Sequence, residues 1–502
     1  MYLASEEVIK QKNINRHMRN YRLFFLLISL FLFLSCNGND NKEDTPIVKK
    51  KEVFKLKNSG WDIYSEGGYR YGPSIIINDD GSIDAWFAAV GGFYGAWHNL
   101  YNKSGKNTPV AVSTHGTVGQ KFSSDVPFWG IKVVSPNWNG KPCGLTMKLF
   151  KWDNSNMSYE EVVKQTPVAT AKFVNYADGE KIGLTNEDKF PAGTYLWELS
   201  ESATEYSGVW LRDGAVAGVV SYQGGKLVSG NNWEAMFAEE KTTGDLFWDQ
   251  ASYQHSTDNG KTWTEEVMSL LPTEFTSDHY SVCDPGAAYW DGYYYIGYTS
   301  TENKAMTQNN AYIARGRTPE GPWEKWNGEK WGTNPKPVIL YDGDPTKFGA
   351  GEPCIVVLND TIYFYYSWND EGTTTRVATA SANDPNWPGS LTYKGVAMNK
   401  SAINGADHSD VKYREDIKKF QAIHTADRMS EKSYLVIWQS DNGIDFKKIG
   451  EVRNNLMPGI HNCGWSGDGK GHIKTGVPQY LSYSYGIGSW GNWKTRWVEI
   501  VW

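Results

Sequence analysis

Long apolar runs are almost absent from this sequence. Residues 23–34 form the main one, and it is shorter than the roughly 20 residues that a membrane-spanning helix needs. Cysteine is scarce: Cys36, Cys143, Cys283, Cys354 and Cys463, at spacings that match no metal motif. Cys283 and Cys354 each stand beside a candidate acid and read as small buried hydrophobes. There is no basic stripe, and the formal net charge of −7 excludes nucleic acid as an expected partner. Convincing helical periodicity is missing, which excludes an α-rich fold.

The apolar run follows Lys10, Lys12, Arg16, Arg19 and Arg22 and ends at Ser35-Cys36, the layout of an export signal. A small residue followed by cysteine resembles a bacterial lipoprotein cleavage site, although Phe33 stands where an aliphatic residue is usual. That resemblance implies lipidation of Cys36, a place in the bacterial cell envelope, and membrane contact by lipid anchor only. Met18 is an alternative start, and polar residues 37–51 read as a flexible tether.

Aromatic residues are plentiful, 14% of the chain, and they mark a repeated unit. Its clearest copy is residues 277–300, SDHYSVCDPGAAYWDGYYYIGYTS. An acid precedes proline at Asp284-Pro285, a turn falls at Trp290-Asp291-Gly292, and an aromatic strand follows. Residues 349–368 repeat this with Glu352-Pro353 and a turn at Asn359-Asp360. Residues 407–425 carry Asp410, residues 471–486 carry His472, and residues 70–89 form a weaker copy around Pro73. Further β-rich runs follow at 252–256, 311–315, 376–380, 434–439 and 496–501. Five copies of strand, turn and strand predict an all-β, five-bladed β-propeller.

Residues 101–207 break the pattern and carry their own β-rich runs. They are expected to form a jelly-roll-like β-sandwich inserted in the first blade. Trp129, Trp138, Trp152 and Trp197 are its candidates for stacking on sugars, with at least two of them expected in its core. The expected layout is a signal peptide at 1–36, a linker at 37–58, propeller at 59–100, sandwich at 101–207 and propeller at 208–502.

Ser256, Asp258, Gly260 and Trp263 form a complete S-x-D-x-G-x-x-W Asp-box, a turn device without chemistry, echoed at Asp441, Gly443 and Phe446. Residues 315–326, RGRTPEGPWEKW, carry a Gly-Pro-Trp turn. With the acids and the aromatic strands, this turn resembles the clan of family 43 and family 32 glycoside hydrolases, over residues 61–96 and 208–502. The resemblance implies that Asp284, Glu352 and Asp410 meet at the propeller axis as catalytic acids, with Glu352 as general acid. Asp284 and Asp410 would share the base and tuning roles. The sequence departs from the family at Tyr71-Gly72-Pro73, where the relatives have an aspartate.

Arg70, Tyr71, His279, His408, Tyr413, His424, Arg428, His461 and His472 fall in or near the same segments and are candidate substrate-binding residues. Carboxylate acid/base chemistry makes a surface-anchored glycoside hydrolase of plant or algal poly- or oligosaccharide the leading reading. Histidine or tyrosine acting beside a cation would instead suit a lyase or dehydratase that eliminates across a uronic acid. A non-catalytic glycan-binding lipoprotein is the third reading. No cofactor is expected, and the histidines and acids leave room for a divalent cation without a recognisable ligand spacing.

Overall fold

The computed structural model describes residues 53–64, 68–488 and 490–502. The residues expected to form the signal, Cys36 among them, lie outside these. The described chain is almost wholly β-strand, with one short α-helix at Tyr159–Val162. It divides into two compact units: one runs up to Gly92 and again from Phe247 to Trp502, and the other spans Phe93–Leu246.

The first unit consists of five antiparallel groups of strands, each opening on an inner strand: Arg70–Ile77, Cys283–Trp290, Gly349–Leu358, Ser409–Arg414 and Ile460–Gly467. Each inner strand turns back into a partner, as Cys283–Trp290 does into Tyr293–Ser300. The first and last groups join into one sheet through the parallel pairs Ile75↔Ser466 and Ile76↔Gly467.

Five apolar clusters link neighbouring groups. Ile76 and Trp86 of the first group pack with Ile296 and Tyr298 of the second. Trp290 and Tyr295 of the second pack with Ile355 and Phe364 of the third. Val356 and Tyr365 of the third meet Val411 and Phe420 of the fourth, and Ile423 and Ile437 of the fourth meet Trp465 and Leu481 of the fifth. The last cluster returns to the start, with Tyr480 and Trp497 packed on Ile75 and Ile83. Fully burying each large apolar side chain stabilises by roughly 1.5–3 kcal/mol.

The inner strands approach too closely for side chains at two places. A Cβ on Gly286 would lie 2.0 Å from the carbonyl oxygen of Pro353, and one on Gly464 the same distance from that of Pro73.

Several elements depart from the sequence reading. Trp61–Tyr64, expected to open the first group, pairs instead with Lys494–Val501 of the fifth, where Asp62 meets Arg496 at 3.1 Å. Gly208–Asp213, expected to resume the repeat, pairs with Asn107–Ala111 inside the second unit. The first group is regained only at Leu246–Ser256. In the second turn device Asn442, not Asp441, takes the acceptor role: its Oδ1 receives the N–H groups of Ile444 and Asp445, each at 2.9 Å. Asp441 instead pairs with Lys419. Asp258 in the complete Asp-box accepts from the N–H and hydroxyl of Thr262, which chiefly draw its carboxyl down to about 2, and also from the N–H of Lys261.

In the second unit a six-stranded sheet, a four-stranded sheet and a three-stranded sheet contribute to one core. Phe122 and Tyr195 of the six-stranded sheet pack on Phe128 of the four-stranded one. Of the four tryptophans singled out, Trp197 is completely buried, Trp129 and Trp152 are buried, and Trp138 is half-buried.

Candidate active site

The site begins with interruptions in the strand ladders. Pairing jumps between Tyr71 and Ser74, Cys283 and Gly286, Gly351 and Cys354, and Ile460 and Cys463. The residues stepped over are Gly72-Pro73, Asp284-Pro285, Glu352-Pro353 and His461-Asn462. Proline cannot donate to a ladder, so the first three irregularities accommodate it, whereas the fourth contains no proline. Gly72, Asp284 and Glu352 have φ of 57°, 50° and 50°, a left-handed conformation that costs about 1–3 kcal/mol for a non-glycine residue. Both acids are thus held in a strained backbone at the mouths of their strands.

The fourth inner strand has no such jump. Counting back from the turn pairs Trp290↔Tyr293, Leu358↔Thr361 and Arg414↔Lys419 places Asp410 level with Gly286 and Cys354. His408 is the residue level with Asp284 and Glu352. Asp410 is instead a tie between strands. Its Oδ1 pairs with Lys412 Nζ at 2.6 Å and accepts from Cys354 Sγ at 3.2 Å, while its Oδ2 accepts from Trp465 N at 2.8 Å. Cys354 is therefore a buried polar partner as well as a small filler.

Asp284 is buried, and its carboxyl is pushed up to about 8 by that burial, and then by the charges of Glu352 and Asp249. Its Oδ1 accepts from Asn462 Nδ2 at 3.4 Å, and Asn462 Oδ1 in turn accepts from Gly72 N at 2.9 Å. Glu352 is anchored by its own N–H, which donates to Thr299 Oγ1 at 2.6 Å, while its Oε2 is buried without a hydrogen-bond partner.

Asp249, which no sequence motif marks, accepts from Tyr69 Oη at 2.8 Å, and burial raises its carboxyl to about 7. Tyr71 is buried as well, and its hydroxyl is pushed up by that burial and then by the Asp249 charge. On the cationic side Arg428 is ion-paired with Asp407, and burial lowers its pKa against the opposing charges of Glu352 and Asp284. Lys400, drawn down to about 8 by burial, donates to the Asp407 carbonyl and, at 3.0 Å, to Ser409 Oγ. Burial also lowers His408, whose Nδ1 has no partner, and lowers His461 further. Neither ring nitrogen of His461 has a partner. Its ring stacks on Trp493 at 4.1 Å and meets Trp490 at 5.0 Å and Tyr71 at 5.1 Å.

Tyr71, His408, Arg428 and His461 therefore gather with Asp284 and Glu352, whereas other expected members do not. Arg70 is locked to Glu266 by two bonds of 2.5 Å and donates to the Tyr69 carbonyl. His424 is held through Nδ1 by its neighbour's carbonyl, that of Thr425, at 2.8 Å, and burial depresses it to about 3. His279 packs edge-on to Tyr280 at 4.5 Å.

Tyr413 and His472 pair with each other at the far end of the inner strands. There the segment after Gly467 crosses the strand ends: Gly469, Lys470 and Gly471 accept from the N–H groups of Tyr289, Val357 and Tyr413. Among the described residues, the one cluster with metal-ligand chemistry, Glu415, Asp468 and His472, lies in this crossing. His472 is engaged there by Val357 O at 2.7 Å and Glu415 Oε1 at 3.2 Å, and Asp468 by Lys474 at 3.2 Å.

No protein-family model matches the chain, and no curated relative matches it in sequence. Solved structures of glycoside hydrolases are similar to it. One is Zg3597, a family 117 glycoside hydrolase of the marine bacterium Zobellia galactanivorans, at 11% identity and TM-score 0.42 over 89% of this chain and 90% of that one. An α-L-arabinofuranosidase of Podospora anserina, in complex with cellotriose, is 12% identical over 51% of this chain and 86% of its own, with TM-score 0.37. Another, from Clostridium thermocellum, is 16% identical over 49% of this chain and 75% of its own, with TM-score 0.32. At such identities the likeness does not extend to particular residues.

Proposed function

We propose that the protein is a glycoside hydrolase in which Asp284 is the general acid and Glu352 the carboxylate that activates water. The observation that carries this reading is the pairing itself. Two acids share one strained position on adjacent inner strands, and burial beside the Glu352 charge keeps Asp284 protonated near neutral pH. Asp284 gives its proton to the glycosidic oxygen as the bond to the anomeric carbon breaks. Water adds to that carbon and its proton passes to Glu352. This reverses the roles drawn from family resemblance, because burial favours the neutral, proton-donating form of Asp284. The aromatic wall of Tyr71, Trp490 and Trp493 offers flat faces to a sugar ring, and Trp490 remains 41% exposed.

We read the five strand groups as blades of a five-bladed propeller, since each apolar cluster joins neighbours and the fifth joins last to first. The second unit is read as a β-sandwich inserted between the second and third strands of the first blade. Lipidation at Cys36, with anchoring in the cell envelope, remains part of this reading on its sequence alone. Cys36→Ala should then move the protein from the membrane fraction to the soluble one, and unchanged fractionation would remove this part.

The catalytic test is mass spectrometry of plant and algal oligosaccharides incubated with the protein. Cleavage with gain of water supports hydrolysis, whereas a new unsaturated product supports elimination and no product supports a glycan-binding role. The eliminating alternative loses one of its candidate bases, since Tyr413 lies at the far end of the strands.

A further inference from the structure

The proposed chemistry leaves unused a cavity of about 410 Å³ in the third group, lined chiefly by Trp368, Asp370, Glu371, Thr374, Arg376 and Ser401. Neither Asp284 nor Glu352 lines it. Its position follows from register: Trp368 pairs with Ala350, and Asn369 with Gly349, so the turn after Asn369 lies at the same end of this group as Glu352. Neighbouring strands are about 4.8 Å apart, which puts Trp368 one strand outward from Glu352 and Arg376 two. A second cavity, of about 310 Å³ and lined by Tyr293, Arg315 and Arg317, lies at the opposite end, where Tyr293 pairs with Trp290. Of the two, the first lies at the end of its group that carries Glu352.

The lining decides what kind of group would enter. The guanidinium carbon of Arg376 lies 3.8 Å from the centre of the Trp368 ring, which fixes the arginine, and its Nε is buried without a partner. Asp370 accepts from Tyr341 Oη at 3.0 Å and has acceptor capacity to spare. Glu371, Thr374 and Ser401 add polar atoms. The one large apolar surface, Trp368, is covered by the arginine, so an apolar ligand would find little to bind. Two carboxylates against one guanidinium disfavour an anion. A neutral polyhydroxylated ring supplies an acceptor to Arg376 and donors to Asp370 and Glu371.

We propose that this cavity is an outer subsite for a neutral sugar residue of the same glycan whose scissile bond lies at Asp284 and Glu352. The inference rests on the hydrolase reading, and it makes the substrate a neutral oligosaccharide or polysaccharide laid outward across the third group.

Hydrogen exchange on the full chain tests it, with xylotriose, cellotriose, maltotriose and arabinotriose as neutral probes and trigalacturonate as the acidic one. At least one neutral trisaccharide should protect amides in residues 369–375 and 399–401, and trigalacturonate should not. Arg376→Met should weaken that binding about tenfold, as expected for a hydrogen bond to a charged group. Thr374→Val serves if Arg376→Met lowers the melting temperature. No protection by any neutral probe, equal protection by trigalacturonate, or wild-type binding by the folded variants would overturn the subsite. Oligosaccharide turnover without protection sinks the subsite and leaves the hydrolase reading intact. Protection with turnover that survives Asp284→Asn and Glu352→Gln does the reverse.

Discussion

At one end of the inner strands, Glu352, His408 and His461 each bury a polar side-chain atom without a partner, and Asp284 holds a proton it would lose in water. At the other end, the crossing segment after Gly467 takes up the strand N–H groups one after another, and His472 is bonded through both ring nitrogens. Burying an unpaired polar group costs about 1–3 kcal/mol, so the first end is expensive and the second is what makes that expense tolerable. The two ends of the same strands thus separate a reactive role from a structural one, and mutations at each should fail in different ways.

The largest expected effect lies at the first end. Asp284→Asn and Glu352→Gln should each lower turnover by a factor on the order of 100 or more, with melting temperature unchanged or raised. Steady-state kinetics beside thermal unfolding checks this, and near-wild-type rates in both variants would remove the proposed chemistry. Next comes Asp410→Ala, which strands Lys412 in the interior and removes an acceptor from Trp465 N. Breaking a buried pair in this way is worth about 3–5 kcal/mol of stability. Denaturant titration should show that loss, while protein that remains folded keeps its rate. A selective loss of turnover at full stability would return Asp410 to the catalytic set.

These residues also show how far the sequence could be read. Asp-Pro and Glu-Pro marked the strand mouths because proline needs an irregular ladder, so the place of Asp284 and Glu352 in the fold was legible. Asp410 misled because it is the acid inside a strand that has no proline and no jump to mark its mouth. Measuring back from the turn at Arg414 and Lys419 would have pointed to His408 instead. The bounds of the second unit were illegible because Gly208–Asp213 has the same β character as the strands it was assigned to. Only its partner, Asn107–Ala111, tells them apart. Asp249 carries no local signal at all, since what makes it unusual is burial against Tyr69 and Tyr71, residues far away in the chain.

A pH series sharpens the contrast further. If Asp284 must be protonated to act, activity should fall as pH rises through about 8. The linked stability change has a definite sign. The folded carboxyl titrates above its ordinary value, so the native state keeps a proton that the unfolded chain releases. Stability from this group is complete at acid pH and declines as pH rises from about 4 toward 8. Asp284→Asn should flatten that decline. Glu352→Gln should lower the Asp284 midpoint, because the Glu352 charge helps to raise it. Difference infrared spectroscopy of the carboxyl band measures it, and an unmoved midpoint would show that the two acids are not electrostatic neighbours.

The smallest effect belongs to His472 at the far end. Its Nε2 meets the Val357 carbonyl at 2.7 Å and its Nδ1 meets Glu415 at 3.2 Å, so it ties the crossing segment to the third and fourth groups. His472→Leu removes both contacts but keeps much of the packing volume. One lost hydrogen bond is worth about 1 kcal/mol, and the partly exposed Glu415 can turn to water, so the net cost should stay near that value. Turnover per folded molecule should not change. His461→Leu offers the paired measurement: it removes a ring with no hydrogen bonds to lose, so its effect on turnover should exceed its effect on stability. If His472→Leu impaired turnover at full stability while His461→Leu did not, the assignment of the two ends would have to be exchanged.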